Sequence, residues 1–246
     1  TLRTTGANNI LKKLEKLVTA AGMTEIDFEN KFAAIKIHLG EPGNLAYLRP
    51  NYSKVIVDMV KEKGGKPFLT DCNTLYVGRR KDALEHLDAA YENGYNPFTT
   101  GCHVIIGDGL KGTDDIEVPL NGGECVTSAK IGRAIMDADV FISLSHFKGH
   151  EMTGFGGAIK NIGMGCGSRA TTGDAEVIVQ IIAMKMLGTL RQVAKQETGV
   201  QHLVIKRKIA HRHKIQIGLQ RPMALAQIMP NALQGVQIAV AFPIGF

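Results

Sequence analysis

Three clusters of polar and ionisable side chains each follow an apolar segment of this chain. They combine ammonium, imidazole, carboxylate, hydroxyl and amide groups, which can bind an anion, hold a metal or exchange protons. Their members are Lys36, His38 and Glu41; Asp71, Asn73 and Thr74; and Ser145, His146, Lys148 and His150. This chemistry predicts one composite site if the fold brings the three clusters together.

The third cluster opens a glycine-rich segment, residues 145–167. Seven glycines lie from Gly149 to Gly167, a density typical of backbone held in unusual conformations or close to a ligand. Residues 156–162 are compatible with the start of a helix, whose free amides and dipole would attract an anion. The spacing matches neither a dinucleotide-binding fingerprint nor a phosphate-binding P-loop.

Residue type and spacing indicate three sets of candidate site residues. In an extended chain, alternate residues share a face, and the glycine-rich segment carries a further amine. The candidate catalytic residues are His146, Lys148, His150, Lys160 and His38. The candidate ligands of a metal of unknown identity are His146, His150 and Cys166. The candidate anion-binding residues are Lys36, Glu41, Asn44, Asp71, Asn73, Thr74, Gly154, Gly156, Gly157 and Asn161.

Other polar residues are interpreted as structural. Asp108 lies between two glycines and reads as a turn residue, whereas His86 is expected on the surface of a helix. His103 is expected to begin a strand.

Alternating strands and helices must position these clusters. Helical periodicity and capping residues predict helices from Asn8 or Asn9 to about residue 21, from Pro50 to about residue 63, over 82–93 and over 128–136. Apolar runs predict buried strands over 32–38, 67–70, 104–106 and 140–144, with a hairpin inside 114–126. This order predicts an α/β fold, a doubly wound and mainly parallel sheet with helices on both faces. In such sheets ligands bind beyond the carboxyl ends of the strands.

Charge and composition divide the chain near residue 169. Residues 1–169 hold 20 basic and 20 acidic residues, so the net charge of +6 arises entirely from residues 170–246. We therefore expect an α/β domain over 1–169 and a basic, cysteine-free C-terminal segment of uncertain structure over 170–246. Within that segment, residues 177–193 are compatible with a helix, and residues 202–206 and 214–218 with strands. A solvated basic face is the simpler explanation of that excess, which makes a nucleic-acid partner unlikely. No apolar run reaches the roughly 18 residues of a membrane span, and a cytoplasmic location is the expectation.

Five motifs resemble a family of uncharacterised iron–sulfur-centre proteins, domain of unknown function 362. They lie at 36–44, 70–76, 93–98, 107–114 and 146–169. The resemblance extends over about residues 1–169 and implies a joined ferredoxin-like module with 4Fe-4S clusters, hence a possible redox partner. However, Cys72, Cys102, Cys125 and Cys166 form no cluster motif, and residues 170–246 contain no cysteine. A looser similarity, to nickel-dependent lactate racemases, implies histidines and lysines that hold a nickel cofactor near strand ends.

Three hypotheses about function follow, and they leave open whether the protein is an enzyme. The first is an iron–sulfur-associated redox protein. The second is a metal- or Lys/His-dependent enzyme that acts on a small anionic substrate such as a carboxylate. The third is a non-catalytic module that binds phosphate or another anion. In all three, the cofactor, the oligomeric state and the identity of the ligand remain open.

Overall fold

The sheet that carries the predicted clusters is present in a computed structural model, which describes residues 4–119, 128–150, 154–170, 216–220 and 237–243. Helices α1 to α6 are Ile10–Ala20, Pro50–Glu62, Ala83–Glu92, Pro97–Thr100, Arg133–Met136 and Ala158–Gly165, with a short 3-10 helix at Met23–Glu25. Strands β1 to β9 are Phe32–Ile37, Lys66–Asp71, His103–Ile106, Asp115–Pro119, Ser128–Gly132, Val140–His150, Gly154–Gly156, Gln216–Gln220 and Gln237–Pro243.

Local sequence signals explain where the longer helices begin. The side chain of Asn9 accepts hydrogen bonds from the backbone amides of Leu11 and Lys12, which caps α1. Asp82 caps α3 in the same way. Pro50 occupies the first turn of α2, where its missing amide hydrogen is not needed.

The main sheet has the strand order β3-β2-β1-β6-β9-β8. Neighbouring strands from β3 to β9 run parallel, whereas β8 is antiparallel to β9. The chain builds β1, β2 and β3 outward in one direction and then crosses to place β6 on the other side of β1. The strand order therefore reverses between β1 and β6, which is where open α/β sheets form their ligand-binding crevice.

Helices cover both faces of this sheet, as predicted. On one face, Ile35, Ile37 and Leu69 pack with buried residues of α1, α2 and α3. On the other, Ala34 and Phe141 pack with α5 and the β4–β5 hairpin. The alternation along β1 sends successive side chains to opposite faces, so both layers are anchored to the same strand.

Three local predictions need correction. Residues 128–132 form β5, antiparallel to β4, so that only Arg133–Met136 are helical where a helix from Ser128 was expected. Pairing with β4 overrides the local helical signal. The expected hairpin exists, although its turn lies outside the described residues. Strand β3 is also less buried than expected, with Ile105 42% exposed, because it lies at the edge of the sheet.

Part of the C-terminal segment belongs to the sheet. Strand β8 overlaps the strand expected at 214–218, and β9, which periodicity did not predict, pairs with β6. The helix expected at 177–193 and the strand expected at 202–206 lie outside the described residues. Among the residues that the structure describes, no helix has both the length and the apolarity to span a membrane.

Candidate functional site

A cavity of about 350 Å³ lies at the carboxyl ends of β1, β2 and β6. Twelve predicted site residues line it: Lys36, His38, Glu41, Asn44, Asp71, Asn73, Thr74, His146, Lys148, Gly157, Lys160 and Asn161. Gly154 and His150 pair with each other between β7 and β6. The side chain of His150 lies outside the described part of the chain, so its predicted role as a metal ligand stays a prediction. Members of all three strand-end clusters thus share one cavity at the point where the strand order reverses.

A buried ion pair joins the ends of β1 and β2. The Nζ atom of Lys36 lies 3.1 Å from Oδ1 of Asp71 and donates a hydrogen bond of 2.8 Å to Oδ1 of Asn161. Both charged side chains are at most 4% exposed. Asn161 also donates to the backbone oxygens of Lys36 and Leu144, so one side chain of α6 connects β1 with β6.

Gly165 is required by the close approach of α6 to this ion pair. A Cβ atom there would overlap the end of the Lys36 side chain and lie 2.9 Å from Oδ1 of Asp71. The absence of a side chain therefore allows α6 to cover the buried charges directly.

Arg80, which the sequence did not single out, is the second cation of this cluster. It is 3% exposed and lines the cavity. Its Nη2 atom donates to Oε1 of Glu41 and to the hydroxyl of Tyr76, and its Nη1 atom lies 3.5 Å from Oδ2 of Asp71. It occupies an irregular connection, where no periodic pattern marks a residue as buried.

The cluster keeps both of its carboxylates ionised. Burial by itself would raise the pKa of Asp71, but Lys36, His86 and Arg80 together hold it below the usual range. The pKa of Glu41 is lowered in the same way, because hydrogen bonds from Arg80 and Tyr76 outweigh burial. The two basic and two acidic groups therefore neutralise one another.

His38 is a neutral imidazole with a defined tautomer. Burial, reinforced by Arg80, lowers its pKa to about 3. Its Nδ1 atom accepts a hydrogen bond of 2.9 Å from the backbone amide of Gly40, so the proton of the neutral ring is assigned to Nε2. His38 can therefore donate a hydrogen bond from Nε2 without carrying a charge.

The glycine-rich segment adds a second imidazole and two amines. His146 and Lys148 alternate along the extended part of β6, and both line the cavity. Burial and the nearby Lys148 lower the pKa of His146, which favours its neutral form. Lys160 lies in the first turn of α6. The charged side chains known to line the cavity are thus four basic and two acidic ones, an excess that favours an anion.

A second buried network adjoins the cavity through Asn73 and corrects the interpretation of His86. His86 is fully buried, not on the surface, and its Nδ1 atom lies 3.3 Å from Oδ1 of Asn73. Asp108 is also buried and accepts hydrogen bonds from the backbone and side-chain amides of Asn73 and from the backbone of Arg169. Helical spacing from Ala83 through His86 to Ala90 was the signal that would have placed this histidine on the buried face.

The cysteines of the described region do not fit a metal cluster. Cys72, Cys102 and Cys166 are buried free thiols, and burial raises the pKa of Cys166 to about 12. Among the described residues, no three His, Cys, Asp or Glu side chains converge as a metal site. We therefore derive no step through an iron–sulfur cluster or a nickel cofactor, and an iron–sulfur role stays a prediction from the resemblance.

Comparison of the sequence with protein families decides the classification. The sequence model of the domain of unknown function DUF362 matches residues 33–228. The chain belongs to the DUF362 family. The match extends well beyond residue 169, so the expectation that the family resemblance ends there was wrong.

Individual relatives are more distant. A thylakoid-associated protein of Synechocystis is 28% identical over 131 residues, which are 51% of this chain and 35% of the relative. The chain thus matches about a third of that relative's length. Two solved structures are partly similar, each with 14% identity. A lactate racemase apoprotein from Thermoanaerobacterium thermosaccharolyticum has a TM-score of 0.42 over 68% of this chain and 35% of its own. A protein from Thermotoga maritima has a TM-score of 0.43 over 72% and 47%.

The buried ion pair predicts an asymmetry between two lysines. Lys36→Met removes one charge and leaves the Asp71 carboxylate buried, so we expect the free energy of unfolding to fall by about 3–5 kcal/mol. Lys54→Met is the control, because Lys54 pairs with Asp58 at 2.9 Å on the surface and should cost less than about 1 kcal/mol. Urea unfolding at neutral pH measures both, and equal effects would contradict the assigned role of Lys36.

The buried His86 predicts a dependence of stability on pH. Its pKa in the folded chain is about 4, lowered mainly by burial, against 6.5 for a free histidine. As the pH falls below 6.5, only the unfolded chain takes up this proton, so stability declines until about pH 4. From pH 6.5 to 5 the loss attributable to His86 should be about 2 kcal/mol. Urea unfolding at several pH values in this range gives the free energy of unfolding as a function of pH. This free energy should depend less steeply on pH in His86→Leu than in the wild type, whereas His103→Gln is the exposed control and should match the wild type. The same pH dependence in His86→Leu as in the wild type would refute the assignment of this proton uptake to His86.

Proposed function

We propose that this domain is an enzyme that binds a small carboxylate anion in the cavity and transfers a proton to or from it. The observation that carries the proposal is the combination of a basic excess with two neutral histidines around one cavity of about 350 Å³. A cavity of this size suits a small organic ligand.

The charge balance supports an anionic ligand. Lys36 and Arg80 are already neutralised by Asp71 and Glu41, so Lys148 contributes an excess positive charge at the cavity. A ligand with one carboxylate would reduce this excess, and charge-assisted hydrogen bonds from amines to carboxylates are among the stronger ones in proteins.

The two histidines support different roles in proton transfer. His38 holds its proton on Nε2 and stays neutral, so it suits the donation of a hydrogen bond to a carbonyl oxygen on which charge develops. His146 is half-buried and favours its neutral form, so its ring can accept a proton. A 2-oxo acid fits this pair, because removal of the proton beside its carbonyl yields an enolate at the oxygen that His38 would face.

Helix α6 supports a second candidate, a module that binds an anion without converting it. No side chain caps the helix at Gly157, and Gly157 lines the cavity. Backbone amides at an uncapped helix start can bind phosphate or carboxylate without any proton transfer. Binding of pyruvate or inorganic phosphate without any exchange of protons would favour this candidate.

Exchange of the methyl protons of pyruvate in heavy water tests the proposal. NMR should show faster loss of the methyl signal with the protein than without it. His146→Gln should abolish the acceleration but preserve pyruvate binding in calorimetry. Lys160→Ala should weaken binding roughly tenfold by removing a charge-assisted contact, whereas Lys111→Ala, an exposed lysine outside the lining, should not. Exchange at the full rate in His146→Gln would refute the role of His146.

A further inference from the structure

Arg80 is shared between two carboxylates that differ in how firmly they are held. Asp71 is 4% exposed in its side chain, and its Oδ1 atom binds Lys36 and the backbone amide of Cys72. The Glu41 side chain is 33% exposed, and within the described part of the chain its side-chain partners are Arg80 and Tyr76. Of the two carboxylates on the guanidinium, Glu41 is therefore the one that can be exchanged.

The backbone around Glu41 also allows it to move. Glu41 lies in the connection between β1 and α2, where residues 42–45 are exposed. Gly40 and Gly43 on either side have φ angles of +91° and +80°, a region that glycine adopts without strain. Arg80 and Tyr76, by contrast, lie in the connection between β2 and α3, where the backbone of Thr74 donates to the carbonyl of Arg80. The Arg80–Glu41–Tyr76 contact thus joins two connections at the cavity.

Exchange of one carboxylate for another would conserve charge in this buried cluster. Lys36 and Arg80 balance Asp71 and Glu41, so a ligand carboxylate that replaced Glu41 would leave the same balance. The planar guanidinium binds carboxylates in a defined orientation that an ammonium group does not impose. Loss of Glu41 without a replacement would leave Arg80 undercompensated and buried, which is unfavourable.

We propose that Arg80 is the residue that recognises the ligand carboxylate, and that Glu41 is an internal competitor which the ligand displaces. This inference rests on the proposed binding of a small carboxylate and adds how that binding is made specific. Glu41 thus takes part in binding without contacting the anion, because in the absence of the anion it binds the Arg80 guanidinium in its place. The affinity for the ligand is then set by the difference between two carboxylates competing for one guanidinium.

Whether Glu41→Gln strengthens or weakens the binding of pyruvate tests this exchange. Glu41→Gln keeps the shape of the side chain but removes the competing charge, so pyruvate should bind roughly tenfold more tightly in calorimetry. Tyr76→Phe removes the hydrogen bond of 2.7 Å that holds Glu41 and should tighten binding by a smaller factor without changing any charge. The matched control is Glu92→Gln, which removes an exposed glutamate paired with Arg79 at 2.6 Å and should leave the affinity unchanged.

Repeating the Glu41→Gln substitution in an Arg80→Lys variant tests the role of Arg80 itself. Arg80→Lys keeps the charge but not the planar fork, so it should weaken pyruvate binding, and Glu41→Gln should no longer tighten binding in that background. Thermal melts verify that each variant is folded, and Tyr76→Phe decides the question if Glu41→Gln does not fold. If the wild type binds pyruvate and the folded Glu41→Gln variant binds it equally or more weakly, the exchange is wrong and the proposed function stands. Tyr76→Phe replaces Glu41→Gln in this comparison if the latter does not fold. No binding by the wild type or by either variant would overturn both proposals.

Discussion

The buried charges of Lys36, Asp71 and Arg80 are the constraint on which the site depends. Each ion would cost several kcal/mol to bury alone, so the three must stay within reach of one another. Their mutual pairing fixes the ends of β1 and β2 relative to the connection that carries Arg80. Asn161 extends the constraint to α6 and β6, and Gly165 removes the side chain that would separate the helix from the ions.

The same burial explains the chemistry that we propose. It lowers the pKa of His38 because a charged imidazole would lie close to Arg80 and Lys36 in a poorly hydrated place. The buried cations thereby make His38 a neutral hydrogen-bond donor. A ligand that binds these cations must compete with the carboxylates that are already paired with them. Lys148 lines the cavity outside this neutralised cluster, so its charge attracts an anion.

Membership of the DUF362 family classifies the chain without assigning an activity, so the function rests on the site itself. The resemblance implied iron–sulfur clusters in a joined module, and the described cysteines are buried free thiols that do not converge as a metal site. A proton-transfer role uses groups that the cavity already contains. It also accounts for the two histidines, which a purely electrostatic anion site would not require.

The sequence by itself determined the α/β class and the residues at the strand ends, because short-range periodicity defines strands and a parallel sheet brings their carboxyl ends to one edge. Lys36, Asp71 and His146 could be grouped on that rule alone. Only the tertiary structure decided that Arg80 and Asp108 are buried beside them, since an irregular connection and a short turn carry no periodic signal. It also decided that residues 128–132 pair as a strand, because pairing with β4 outweighs local propensity.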